Sequence, residues 1–151
     1  LTRAAISSGA LANRGLEIFW LADPVEAFFL EIQGSGRIRL PDGTAIRVGF
    51  AGKNGHPYRA IGKVLVDRGD MTLAEASAQS IKAWLRAHPN EAQALMNQNP
   101  SYVFFTERTD IAEDAGPIGA MGASVTAGRS VAVDPAFHPL GAPVCDRKSV
   151  V

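Results

Sequence analysis

The sequence predicts a mainly β domain of the α+β class, and three observations carry that expectation. Residues 30–58, LEIQGSGRIRLPDGTAIRVGFAGKNGHPY, read as strand, glycine turn, hairpin and second glycine turn without a break. Residues 101–106, SYVFFT, have the aromatic and β-branched make-up of a further strand that needs a covering layer. Between these two runs lie residues with helical spacing and capping signals, enough for two or three short helices.

Taken in order, residues 1–15 mix Ala, Ser and Gly with Arg3, Asn13 and Arg14, and predict a short helix ended by Gly9 or Gly15, with little functional role. Residues 16–21 are apolar, and Asp23-Pro24 marks a turn in which Pro24 suits the first position of a short helix. The aromatic and β-branched content of residues 25–32 predicts a buried strand rather than a helix. Residues 37–40 and 45–50 alternate, Ile38 and Leu40 against Arg37 and Arg39, then Ile46 and Val48 against Arg47. Pro41-Asp42-Gly43-Thr44 between them is turn chemistry, because Pro presets one dihedral and Gly supplies the positive one. The three arginines are read as the solvated face of this hairpin, the alternative being a site for a carboxylate-bearing ligand.

Ile61, Val64 and Leu65 then show helical spacing, closed at Gly69. Thr72 and Glu75 form a T-x-x-E capping box that predicts the start of a second helix, with Leu73, Ala76, Ile81, Trp84 and Leu85 as its apolar stripe and Pro89 as its stop. Asn90 is expected to cap a third helix over residues 91–97, broken by Gln98-Asn99-Pro100. Residues 109–128 change to Gly, Ala and acidic side chains, and predict a tight loop. Its GPIGAMG lacks both the G-x-G-x-x-G spacing and the following Lys-Ser/Thr of a phosphate loop. Residues 130–133 predict a short strand, followed by turns at Asp134-Pro135 and His138-Pro139-Leu140-Gly141.

Composition narrows the function classes. The 151 residues suffice for a domain of ordinary size, and a 46% hydrophobic content argues against disorder. Fifteen basic and fifteen acidic residues cancel, so no global field recommends nucleic acid as a partner. The chain opens at Leu1 and shows neither the charged start nor the apolar core of a secretion signal, which reads as an internal fragment. Cys145 is the single cysteine and has no partner for a disulfide within the chain.

The chemistry-bearing residues concentrate in the 30–58 run. Gln33, Ser35, Asn54 and Tyr58 are neutral hydrogen-bonding side chains, while Gly34, Gly36, Gly52 and Gly55 allow backbone amides to approach a ligand closely. This suits the floor of a groove for an uncharged polyhydroxylated ligand better than a phosphate or metal site; the plainer reading is that two glycine turns are only turns. H-E-x-x-H, C-x-x-C, EF-hand and G-x-S-x-G patterns are all missing, and His56, His88 and His138 lie far apart, so no metal or cofactor is expected.

Four blocks, in order, resemble the membrane-bound lytic murein transglycosylase A family over roughly residues 16–144. They are Ile32-Gln33-Gly34-Ser35-Gly36; Gly49-Phe50-Ala51-Gly52-Lys53-Asn54-Gly55-His56-Pro57-Tyr58 with Ile61-Gly62; Asn99-Pro100-Ser101-Tyr102-Val103-Phe104-Phe105; and Gly116-Pro117-Ile118-Gly119 with the AGRSVAVD of residues 127–134 and Pro139-Leu140-Gly141. The resemblance implies a small β-barrel-like inserted domain over residues 1–125. Residues 126–151 would then be the first strands of a double-psi β-barrel, the 3D domain, cut short.

The activity it implies is cleavage of the β-1,4 bond between N-acetylmuramic acid and N-acetylglucosamine in peptidoglycan. The muramyl 6-hydroxyl attacks C1 to leave a 1,6-anhydro product, so one acid/base carboxylate is needed rather than two. Gln33, Gly34, Ser35, Gly36, Asn54, Gly55, Tyr58, Ser101 and Tyr102 are the substrate-binding residues implied, with Phe50, Tyr58 or Tyr102 offering an aromatic face to the sugar ring. Asp134 matches the first of the three aspartates that give the 3D domain its name, which implies support or groove lining. The family's catalytic Asp-Val-Gly-Gly-like segment has no match, and Asp146, within the departing residues 145–151, does not inherit that role. The expectation is therefore a fragment without the catalytic acid. Glycan strands are its expected partner, as are complexes with other cell-wall enzymes, at the periplasmic side of the outer membrane. The alternative is a noncatalytic glycan-binding module.

Overall fold

A computed structural model describes residues 1–109 and 116–145. They fall into two compact units, Leu1–Glu107 and Arg108–Val151. The first unit holds every regular element among the described residues: α1 (Arg3–Ser7), α2 (Pro24–Gln33), β1 (Ser35–Arg39), β2 (Ala45–Lys53), α3 (Ile61–Arg68), α4 (Ala78–Ala87), α5 (Pro89–Met96) and β3 (Val103–Glu107). It is a mixed α+β unit with more helix than the sequence suggests.

The predicted hairpin is present. β1 pairs antiparallel with β2 from Ser35 opposite Gly49 to Arg39 opposite Ala45. The turn closes through Leu40 N–H on the Thr44 carbonyl at 2.8 Å, and Asp42 Oδ1 accepts from both the Thr44 amide and hydroxyl, at 2.9 and 2.6 Å. β3 adds antiparallel to the other side of β2, with a register shift between Phe50 and Gly52. The sheet has the order β1-β2-β3 and stays open, which corrects the barrel-like expectation. Three strands with the two outer ones paired only to β2 do not close, and helices supply the covering layer instead.

The buried strand expected over residues 25–32 is a helix, α2. Asp23 caps it, accepting from the amides of Val25 at 2.8 Å and Glu26 at 3.3 Å, and Pro24 occupies its first turn. Val25, Phe28, Phe29 and Ile32 stand at i, i+3, i+4 and i+7, a helical stripe whose β-branched and aromatic composition pointed the other way. Gly34 ends α2 in the left-handed region, φ 75°, with its amide on the Leu30 carbonyl at 2.8 Å. Gly34→Ala is expected to cost about 1–2 kcal/mol, the penalty of a side chain in that region, and a urea titration checks it.

Two helix starts also move. Thr72 and Glu75 make their box contacts, with the Thr72 amide and hydroxyl on Glu75 Oε2 at 3.0 and 2.6 Å, yet no helix follows. Ser77 accepts from the Ser80 amide and restarts the backbone, so α4 begins at Ala78 and Leu73 stays 81% exposed. α5 begins at Pro89 with His88, not Asn90, as its cap residue.

Val25, Phe28 and Phe29 of α2 pack with Ile61 and Leu65 of α3, Leu85 of α4, and Ala92, Leu95 and Met96 of α5. At the rim, Lys82 and Arg86 of α4 reach Glu26 at 2.6 and 2.5 Å, and Arg86 also reaches Asp23 at 2.8 Å. These bonds hold the carboxyls below their ordinary range: Asp23 chiefly through Arg86, Glu26 through Lys82 and then Arg86. A lowered folded value stabilises above the ordinary value and loses that contribution as pH falls through the folded one. Glu26→Gln should therefore lower the melting temperature slightly at neutral pH, by less than about 1 kcal/mol of stability at this half-exposed site. The difference should fade as pH drops below the ordinary Glu value of 4.5, and in molar salt.

In the second unit, Ile118 and Ser124 form an isolated antiparallel bridge. The strand expected over residues 130–133 is not formed: the amides of Arg129 and Ser130 both turn back to the Thr126 carbonyl, and Ser130 Oγ accepts from the Thr126 amide. Those turn bonds replace a ladder. Residues 110–115 of the expected glycine loop and Asp146 lie outside the described residues.

Candidate functional site

β2 runs out at Lys53, and the next residue ties that end to the approach of β3. The Asn54 amide donates to the Tyr102 carbonyl at 3.0 Å. Its side chain donates through Nδ2 to the Pro100 carbonyl at 2.8 Å and the Leu1 carbonyl at 2.9 Å, and accepts on Oδ1 from Tyr102 N–H at 3.0 Å and His56 N–H at 3.4 Å. A carboxamide has two N–H groups and one oxygen with two lone pairs, so every valence is engaged within the protein. Asn99, 1% exposed, does the converse: its Oδ1 accepts from the Arg59 and Ser101 amides at 3.1 and 3.2 Å. Two asparagines thus bind the 54–59 loop to residues 99–102, and Tyr58 leaves the loop 57% exposed.

Beneath this junction lies an ion pair that sequence reasoning missed. Arg3, 5% exposed, donates to Glu31 Oε1 at 3.1 Å and Oε2 at 2.7 Å. The same guanidinium donates to the carbonyls of Asn99 at 3.1 Å and Ser101 at 2.7 Å, and stands over the rings of Phe28 and Tyr102 at 4.6 and 5.2 Å. Burial pushes the Glu31 carboxyl up from its ordinary range, while Arg3 and the Val103 amide pull it down. Both oxygens are already engaged by Arg3, so Glu31 is a structural carboxylate and not an acid open to a substrate. Partial burial likewise raises the Tyr58 and Tyr102 phenols from their ordinary range. The signals in the sequence were slight: a lone Glu inside AFFLEIQ, and an Arg in a helix read as having little function.

The Gln33-Gly34-Ser35-Gly36 block forms a second cluster. Gln33 is the exposed last residue of α2, Gly34 its cap, and Ser35 and Gly36 open β1. A Cβ on Gly36 would come within 2.4 Å of Leu30 Cδ1, so glycine lets β1 pass close under the helix. Ser35 pairs with Gly49. Asn54 lies five positions beyond Gly49, roughly 16 Å along the strand at about 3.3 Å per residue. The groove floor read as one stretch is therefore two polar clusters, with Phe50, 54% exposed, on the strand between them. The buried Ser101 and half-buried Tyr102 join the Asn54 cluster.

A hollow of about 570 Å³ opens in the same unit, walled by Leu16, Phe19, Trp20, Leu30, Ile38 and Val48, with Glu17, Glu31 and Tyr102 as polar members. Its lining is predominantly apolar. In the second unit, Asp134 Oδ1 accepts from the Ala136 amide at 2.8 Å and its carbonyl from Phe137 and His138, so it caps its own turn. Among the described residues no three His, Cys, Asp or Glu side chains gather as metal ligands.

Comparison with known proteins gives this arrangement its context. The MltA specific insert domain, as a family model, matches residues 1–106. The chain belongs to the MltA family. The membrane-bound lytic murein transglycosylase A of Escherichia coli K12 is 38% identical over 143 residues, covering 93% of this chain and 38% of that protein. The lytic transglycosylase LtgG of Burkholderia pseudomallei is 50% identical with a TM-score of 0.71, covering 93% of this chain and 41% of its own. E. coli MltA with bound chitohexaose is 37% identical with a TM-score of 0.78, covering 91% and 40%. The chain thus spans about two-fifths of the length of these relatives.

Proposed function

We propose that this chain is the glycan-holding part of a peptidoglycan lytic transglycosylase. The reaction it serves cleaves the β-1,4 bond between N-acetylmuramic acid and N-acetylglucosamine, with the muramyl 6-hydroxyl attacking C1 as the C1–O4 bond breaks. The observation that carries this reading is the family match over residues 1–106, which contains all nine residues expected to bind substrate. Their chemistry supports it. The Gln33 and Ser35 side chains and the Tyr58 hydroxyl are neutral donors and acceptors suited to sugar hydroxyls and N-acetyl groups, and exposed Phe50 and Tyr58 offer faces to pyranose rings. Asn54, Asn99 and Ser101 serve as scaffold beneath that surface.

One carboxylate must protonate the leaving oxygen and accept the proton of the attacking hydroxyl. Glu31 is held by Arg3 and Asp134 by its own turn, and no segment of this sequence matches the family's catalytic motif, so in this reading the acid/base is not part of this chain. We assign residues 1–125 to the inserted domain and 126–151 to the start of the double-psi barrel, with Asp134 in a supporting role. By the same reading the longer protein works at the periplasmic face of the outer membrane, alongside other cell-wall enzymes. Among the described residues no helix is long and apolar enough to cross a membrane. Incubation of the purified chain with murein sacculi tests the proposal. Co-sedimentation without release of 1,6-anhydromuropeptides is expected. Release of such products would overturn the assignment of the acid, and absence of co-sedimentation would overturn the glycan-holding role.

A further inference from the structure

Residues 99–103 cross the Asn54 cluster without regular secondary structure until β3 begins at Val103, yet each is held from below. Arg3 Nε donates to the Asn99 carbonyl at 3.1 Å, the Arg3 backbone amide to the Pro100 carbonyl at 3.0 Å, and a terminal guanidinium nitrogen to the Ser101 carbonyl at 2.7 Å. The Tyr102 ring lies 5.2 Å from the guanidinium carbon, and the Val103 amide donates to Glu31 Oε2 at 3.2 Å. Four of these five residues thus contact one ion pair, Pro100 being held by the Arg3 backbone, and neither Arg3 nor Glu31 belongs to the apolar core.

We propose that Arg3 and Glu31 are positioning residues of the carbohydrate site: they set its affinity by fixing the backbone that carries Ser101 and Tyr102 against the Asn54 loop. The proposal rests on the glycan-binding reading above. A planar guanidinium fork is what the geometry uses, since the Glu31 oxygens and two carbonyls lie around one plane of donors. Lysine keeps the charge but offers a single ammonium without that fork. Loosening the segment makes a ligand order it on binding, and ordering costs of about 0.5–1.5 kcal/mol per group correspond to roughly three- to tenfold in affinity.

The test uses the whole chain, below the melting temperature of every variant, with chitohexaose as the probe. Arg3→Lys is expected to weaken the Kd by roughly three- to tenfold and to speed hydrogen exchange at the Tyr102 and Val103 amides relative to hairpin amides. Leu85→Ala, in the helical core, loses stability too but should leave the Kd unchanged. If Arg3→Lys does not fold, Glu31→Gln supplies the same readout with an acceptor retained. An unchanged Kd in the folded variant, or equal weakening in Leu85→Ala, overturns the positioning role while the glycan-binding reading stands. No binding by the unaltered chain overturns that reading and the proposal with it.

Discussion

Replacing Arg3 by alanine is expected to remove about 3–5 kcal/mol of stability, the cost of breaking a buried pair from one side. The side chain is 5% exposed and its partner Glu31 11%, so water cannot take over the lost bonds. The change strands a carboxylate that burial already pushes toward its protonated form, and leaves the Asn99 and Ser101 carbonyls without their donor. Losses of this size approach half the stability of an ordinary domain, and a urea titration at neutral pH with a cooperative transition measures it directly. The double replacement Arg3→Met with Glu31→Leu should recover part of the loss, because it removes the charge that would otherwise be buried alone. Full recovery is not expected, since the two carbonyls stay unpaired.

Asn54→Ala is the second large effect. It deletes four hydrogen bonds that join the end of β2 to residues 100 and 102, to His56 and to Leu1. The Tyr102 and His56 amides lose their acceptor at about 1–3 kcal/mol for each group left unsatisfied, while the Pro100 carbonyl keeps the Arg3 amide and the exposed Leu1 carbonyl finds water, so a total of about 2–4 kcal/mol is expected. Asn54→Asp should fall between the alanine variant and the unaltered chain: it keeps the acceptor for the Tyr102 amide but turns two donors into a lone-pair clash with the Pro100 carbonyl. The measurement is again denaturant unfolding. Carbohydrate affinity should fall with it because the loop carrying Tyr58 loses its anchor, which makes loss of binding in this variant an indirect effect and not evidence that Asn54 touches sugar.

What could be read from the sequence was mostly local. The hairpin was legible because Pro41-Asp42-Gly43-Thr44 fixes its own turn, and the end of α3 because Gly69 takes the left-handed conformation, φ 79°, that closes a helix. α2 was misread because composition outweighed spacing: Phe28, Phe29 and Ile32 favour strands, while Asp23-Pro24 and the i, i+3, i+4 repeat favoured the helix that formed. The open sheet and the Arg3–Glu31 pair depend on partners distant in the chain, 28 residues apart for the ion pair, and no local pattern announces such a partner. For the site, Asn54 and Tyr102, 48 residues apart in the chain, are brought together only by the fold. The division of labour within it, asparagines bonded inward and aromatics facing out, follows only from the tertiary hydrogen bonds.

The proposed glycan surface takes in two polar clusters along β2. Titration of the chain with chitohexaose, followed through backbone amide resonances, tests that most directly. Shifts are expected both at Gln33, Gly34, Ser35 and Gly36 and at Gly55, His56 and Tyr58, with Phe50 between them moving as well. Shifts confined to the apolar hollow around Trp20 and Leu16, or no saturable shift at either cluster, would contradict it.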